Sequence, residues 1–116
     1  MGLTGVSIGQ MRERVTIQRQ TAVRDGLGHS ARTWSDVFVN LWARVTPIRA
    51  REIFAAGQHQ PEGTVSVVVR FRDGITSDMR VMWRGQPHAI VGNPIDIQAR
   101  REYLELLCES GVRDGR

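Results

Sequence analysis

Hydrophobic and polar residues alternate along much of this chain. In "RERVTIQRQ", residues 12–20, Val15 and Ile17 fall on one face and Arg14, Thr16 and Gln18 on the other, the period of a half-buried strand. The clearest case is "TVSVVVRFR", residues 64–72: Val65, Val67, Val69 and Phe71 point one way, and Ser66, Arg70 and Arg72 the other. "RREYLELLCE", residues 100–109, contains helix-favouring leucines and glutamates. Its alternation nevertheless sets Leu104, Leu106 and Cys108 against Tyr103, Glu105, Leu107 and Glu109, which predicts a closing strand. The run 31–45 carries Trp34, Val37, Val39, Leu41 and Trp42, with Ser35-Asp36 and Asn40 breaking the period. Two strands, or one strand bent by a bulge, both fit, and the two tryptophans suggest a core anchor.

Turn residues punctuate these runs. "RDGLGHS", residues 24–30, predicts a protruding hairpin loop between the first two strands, and Asp73-Gly74 turns the chain after the third. "MRVMWRGQPHAIV", residues 79–91, reads as a hairpin about Arg84-Gly85, with Pro87 confined to an edge or a non-bonded position. About six strands at this spacing predict a mainly β chain, a small antiparallel barrel or sandwich. One stretch departs from the pattern: after Pro47, residues 49–56 have the makings of two helical turns, with Gly57 as a stop. So short a helix needs tertiary support. The expected organisation is a flexible arm over 1–10, a single barrel over 11–110 with a helix or loop insert at 46–63, and a frayed tail over 111–116.

Composition narrows the class. With 116 residues, 41% hydrophobic and 24% charged, the chain suits one folded domain rather than a disordered one. All 16 basic residues are arginine, whose planar fork suits carboxylates, phosphates and aromatic faces better than an ammonium does. Residues 1–51 carry a net charge of +5 and residues 52–116 a net of −1, so the positive excess lies in the first half. A single cysteine, Cys108, excludes an intrachain disulfide. No apolar run approaches the ~20 residues of a membrane span, and "MGLTGVSIGQ" lacks the features of a secretory signal, which predicts a cytoplasmically made protein without a membrane partner.

Catalytic chemistry finds little support. His29, His59 and His88 stand in separate segments without metal-ligand spacing and read as loop or surface residues, so neither a metal nor a cofactor is expected. His29-Ser30 and Cys108 lack the base and orienting group that a nucleophile needs, and Glu105 and Glu109 read as solvated carboxylates. No glycine-rich phosphate loop occurs. Nucleic-acid binding is harder to set aside. Arg70, Arg72, Arg80 and Arg84 could share one barrel surface, which makes a single-stranded nucleic-acid-binding barrel the alternative reading. Against it, Phe71 alternates inward, the tryptophans lie in apolar runs and no recognition motif is present.

Several segments in order, "RVTIQR", Asp25-x-x-Gly28 before Trp34, "WARVTP" followed by "REIFAAGQ", "FRDGITSDMRV" and "REYLELLCE", resemble the phage head-tail adaptor family, also called head closure or stopper proteins, over about residues 10–110. Ala50 stands where that family commonly has a glycine. The resemblance implies a non-enzymatic virion protein at the head-tail junction of a phage or gene transfer particle. It would form a homo-oligomeric ring, typically a hexamer, below a portal adaptor and above a tail terminator or tail tube protein, closing the channel after packaging. On that basis Arg49, Arg51, Glu52, Ile53 and Phe54 are candidates for ring contact or channel gate. Arg24, Asp25 and His29 are candidate loop contacts, and Arg70 and Arg72 could touch packaged DNA in the lumen, without sequence preference, or an interface.

Overall fold

The computed structural model describes residues 8–24, 30–48 and 63–110. Seven strands form one antiparallel sheet: β1 (Glu13–Arg24), β2 (Ser30–Pro47), β3 (Thr64–Arg70), β4 (Arg80–Trp83), β5 (Gln86–Ile90), β6 (Ile95–Asp96) and β7 (Tyr103–Ser110). The order β3-β2-β1-β4-β5-β7 is closed by pairing of β3 with β7, which makes a six-stranded barrel. β6 pairs with β7 on the edge that β5 has left: His88 to Ile90 face Ser110 to Cys108, Ile95 and Asp96 face Glu105 and Leu104, and the Val91 N–H donates to the Leu107 carbonyl between them at 2.7 Å.

The interior follows from strand alternation. Ile17, Val67, Val69, Val81, Leu106 and Cys108 have no exposed surface and pack with Val15, Ala43, Val65, Ile90 and Leu104. β7 repeats the predicted pattern, with Leu104, Leu106 and Cys108 buried and their neighbours Tyr103, Glu105, Leu107 and Glu109 partly exposed. β3 goes further: Thr64 to Val69 are all buried, so its outward residues are covered too, and Val68 is fully buried outside the main core.

The run 31–45 belongs to one strand bent by bulges. Opposite Val15, Ile17 and Gln18 of β1 stand Leu41, Phe38 and Asp36 of β2, so β2 spends two extra residues over this stretch. Asn40, at φ 56°, adopts the left-handed conformation that asparagine tolerates better than most residues. The added residues shift the alternation, and Phe38 and Leu41, of opposite parity, both pack against the core. The expected tryptophan anchor is absent from the core. Leu41 and Ala43 turn inward, Trp42 turns outward and is 49% exposed, and Trp34 lies near the start of β2, opposite Gln20 of β1 and outside the core.

β1 pairs with β4 only from Val15 to Gln18, and β2 pairs with β3 only from Ala43 to Pro47. Beyond the barrel, residues 19–24 and 30–35 form a two-stranded arm, roughly 20 Å long at strand rise. The register runs to Arg24 opposite Ser30, so the hairpin is present, and its tip at 25–29 lies outside the described residues. The second expected hairpin is also present. Arg84 and Gly85 have φ 52° and 77°, matching a two-residue turn whose positive angles follow the sheet twist. Pro87 faces Met82 one step before β5 begins to pair with β7, so its missing N–H leaves no ladder bond unmade.

The expected helical insert lies outside the described residues at 49–62, as do residues 1–7 of the N-terminal arm and the tail 111–116; the helical pieces among the described residues are 3-10 turns at Ile8–Gln10 and Ile97–Ala99. The second is tightly bent, with Gln98, Ala99 and Arg101 at φ 57°, 54° and 58°, and the Arg101 N–H donates to Asp96 Oδ1 at 2.9 Å. Among the described residues no helix is long and apolar enough to cross a membrane.

This core makes a sharp distinction between neighbours on β7. Leu106→Ala should lower the unfolding free energy by about 2–5 kcal/mol in urea titrations, whereas Leu107→Ala, on the outer face, should cost much less. Equal losses would contradict the inward and outward assignment.

Candidate interaction surfaces

The sequence-predicted contact residues divide unevenly. Arg49, Arg51, Glu52, Ile53 and Phe54 lie outside the described residues, as do Asp25 and His29; Arg24 ends β1, with its side chain outside them. Arg70 and Arg72 are described and do not act together. Arg70 ends β3 on the outer face with its guanidinium at the limit of stacking range, 6.0 Å from the Tyr103 ring centre. Arg72, past the strand end, lies 5.2 Å from the Phe38 ring centre. Arg80 and Arg84 lie at opposite ends of the β4 hairpin strand, so the four arginines do not form one cationic surface.

What the sequence did not disclose is the extent of arginine stacking. Arg14 lies over Trp42 at 3.8 Å, Arg80 over Trp34 at 4.2 Å, Arg84 over Trp83 at 4.7 Å and Arg101 over Phe71 at 5.0 Å, in addition to the Arg70 and Arg72 pairs. Six such contacts exceed the usual density of about one per 70–80 residues. The all-arginine composition hinted at this, but only the register places Arg14 opposite Trp42. Arg80 also donates from Nε to Gln18 Oε1 at 2.8 Å, and Gln18 Nε2 donates to Asp36 at 2.8 Å, which ties the foot of the arm to β4. Burial lowers the Arg80 pKa from its usual value.

At the barrel end opposite the arm, Glu13 joins β1 to the β4–β5 turn. The Trp83 indole N–H donates to Glu13 Oε1 and an Arg84 nitrogen donates to Oε2, each at 3.0 Å. The Trp83 and Arg84 hydrogen bonds, in that order, hold the Glu13 carboxyl below its ordinary pKa. Beside them a cavity of about 420 Å³ is lined by Trp83, Arg84, Gln86, His88 and Ser110. His88 was expected at the surface and is instead 5% exposed: its ring tilts against Trp83 at 5.5 Å and its Nδ1–H donates to the Gln86 carbonyl at 3.0 Å. An apolar wall and a backbone acceptor satisfy it, which neither spacing nor composition could show.

These groups do not compose a reaction centre. Ser110 and His88 face each other in register but share no hydrogen bond of catalytic form among the described residues. Cys108 is sealed in the core, where burial pushes its thiol up to about 12, the opposite of an activated nucleophile. Among the described residues no three His, Cys, Asp or Glu side chains converge as a metal site.

The molecule is thus a small closed β-barrel with an arm, arginines stacked on several of its rings and an end cavity. The family model for phage head completion proteins matches residues 6–111, and the chain belongs to that family. It is 31% identical over 109 residues to head completion protein gp7 of Enterobacteria phage HK97, covering 90% of this chain and 96% of that one. It is 29% identical over 101 residues to head completion protein gp16 of Bacillus phage SPP1, covering 87% of this chain and 89% of that one. The solution structure of protein SF1141 from Shigella flexneri 2a is similar over 93% of this chain and 99% of that chain, with a TM-score of 0.77 and 33% identity.

Two titrations check the geometry. A carboxyl whose folded pKa is lowered contributes stability above its unfolded value, near ~4.3, and loses it as pH falls through the folded value. Glu13→Gln should therefore flatten the acid limb of the stability-pH profile and leave its alkaline limb unchanged; an unaltered acid limb would contradict the Trp83–Glu13–Arg84 link. The Cys108 thiol should resist an aromatic disulfide reagent in the native protein and react after denaturation, and rapid native labelling would contradict its burial.

Proposed function

We propose that this chain is a structural connector of a phage or phage-like gene transfer particle, a head closure protein that acts by assembly and not by turnover. The observation that carries the reading is the family match over residues 6–111, which spans the whole described barrel. Two relatives are themselves called head completion proteins and align over most of their length, which supports a role after the head is filled.

In this reading the protein sits at the head-tail junction of the virion as a homo-oligomeric ring, with six subunits as the working number. A portal adaptor lies above it and a tail terminator or tail tube protein below, and the ring closes the DNA channel and presents the tail-docking face. A ring contact is heterologous: it joins two different surfaces of each subunit. A rigid barrel with an arm at one end, and with the chain leaving β2 for the insert after Pro47 at the other, suits that demand. Arg49, Arg51, Glu52, Ile53 and Phe54 are the proposed ring contact or gate, with Arg24, Asp25 and His29 as loop contacts at the arm tip. Arg70 and Arg72 offer guanidiniums to packaged DNA or to an interface.

Complementation of a phage lacking this gene tests the proposal. Without the protein, DNA-filled heads should leak DNA and fail to acquire tails, and the wild-type chain should restore both. Arg51→Ala combined with Phe54→Ala should fold normally and fail to restore tail joining. Full restoration by that variant would remove the insert from the contact, and tailed, infectious particles without any copy of the chain would overturn the connector role itself.

A further inference from the structure

The outer face of the barrel carries a row that strand register alone assembles. Arg14 of β1 stands opposite Trp42 of β2; one step beyond the Ala43–Val69 pair, Trp42 adjoins Arg70 of β3; and Arg70 stands opposite Tyr103 of β7. Cation and aromatic thus alternate across four strands, a span of about 14 Å at the usual strand separation. Their inward neighbours Val15, Ala43, Val69 and Leu104 are core residues, so the row itself faces outward. Trp42 is 49% exposed, and Ile95, which faces Glu105 on the same side of β7, is 45% exposed.

Charge on this face is unbalanced. Arg14 and Arg70 form no ion pair with a described residue, and the buried Nε of Arg44, in the next row, has no hydrogen-bond partner. Glu105, the outward acid two residues on from Tyr103 along β7, already accepts a hydrogen bond from Ser66 at 2.6 Å. Tryptophan, tyrosine and arginine around an exposed apolar residue are the residue types that dominate binding energy at protein interfaces. A nucleic acid suits the row less well. Stacking bases need open ring faces, whereas Arg14 already covers one face of Trp42 and Tyr103 is only partly exposed.

We infer that the Arg14–Trp42–Arg70–Tyr103 row docks an acidic protein segment of a neighbouring virion component, its carboxylates on the guanidiniums and an apolar side chain against Trp42. This rests on the connector reading and assigns Arg70 to a protein interface instead of lumen DNA. Arginine's planar fork is required in this arrangement, because it can stack on a ring and bind a carboxylate edge-on at the same time.

The test uses the full chain and two probes: heads from a phage lacking this protein, and purified tails. Arg14→Glu with Arg70→Glu, and separately Trp42→Ser, should weaken binding to one of the probes by about tenfold or more, while Arg19→Glu, out on the β1–β2 arm, should not. Arg14→Lys with Arg70→Lys keeps the charge and spares the fold, and should also bind more weakly. Wild-type binding to that probe should fall with added salt and survive removal of its DNA by nuclease. Wild-type affinity in the row variants would overturn the docking surface. Loss of binding on DNA removal would assign the row to nucleic acid, and variants that alter only self-association in sedimentation would assign it to a second copy; either result overturns the inference. If the wild-type chain binds neither heads nor tails, the connector reading falls and the docking surface with it, whereas wild-type binding that the row variants leave intact defeats the docking surface alone.

Discussion

The pairing of β3 with β7 is the constraint on which the rest of the molecule depends. β3 is hydrogen-bonded on one edge to residues 43–47 of β2 and on the other to residues 103–109 of β7. Without that second ladder the sheet would end in two open edges, each a template for unwanted pairing. With it, Val65, Val67 and Val69 are held between Ala43 and Val45 on one side and Leu104, Leu106 and Cys108 on the other, and the interior excludes water. Closure also defines an outside. It sends the β1–β2 arm from one end, gathers the ends of β2 and β7 at the other, and aligns residues distant in the chain into a row on the outer wall.

Arginine use follows from this geometry. A barrel this small has few interior positions for large rings, and Trp42, Tyr103 and Trp34 lie wholly or partly outside it. A guanidinium laid on each ring shields part of its apolar face while its N–H groups remain available to water or a carboxylate. A lysine ammonium, a compact and strongly hydrated charge, cannot do both. The chain thereby keeps an aromatic surface suited to contact, which fits a family whose members complete phage heads.

Strand positions were legible in the sequence because alternation reports directly on which side of a sheet a residue faces. Val15 and Ile17, Val65, Val67 and Val69, and Leu104, Leu106 and Cys108 are buried as their spacing predicts, and Arg84-Gly85 makes its hairpin turn. Alternation fails where a bulge inserts residues. From Asp36 to Leu41 two extra residues break the alternation, so Phe38 could not be placed by counting, whereas Trp42 follows the unbroken Leu41–Ala43 alternation outward. His88 escaped for another reason: its burial depends on Trp83 and on a backbone carbonyl two residues away, neither of which is visible in isolated histidine spacing. The arginine row was hidden because it is a property of register across four strands. Of the contact residues expected from sequence, Arg70 is placed on the outer wall, while the 49–62 segment lies outside the described residues.

The central claim is that this barrel is a ring subunit at the head-tail junction. Electron cryo-microscopy of the particle neck tests it most directly. The account predicts a ring of copies of this barrel between the portal-adaptor assembly and the tail, coaxial with the DNA channel. Density for the barrel elsewhere in the particle, or a complete neck without it, would contradict the account.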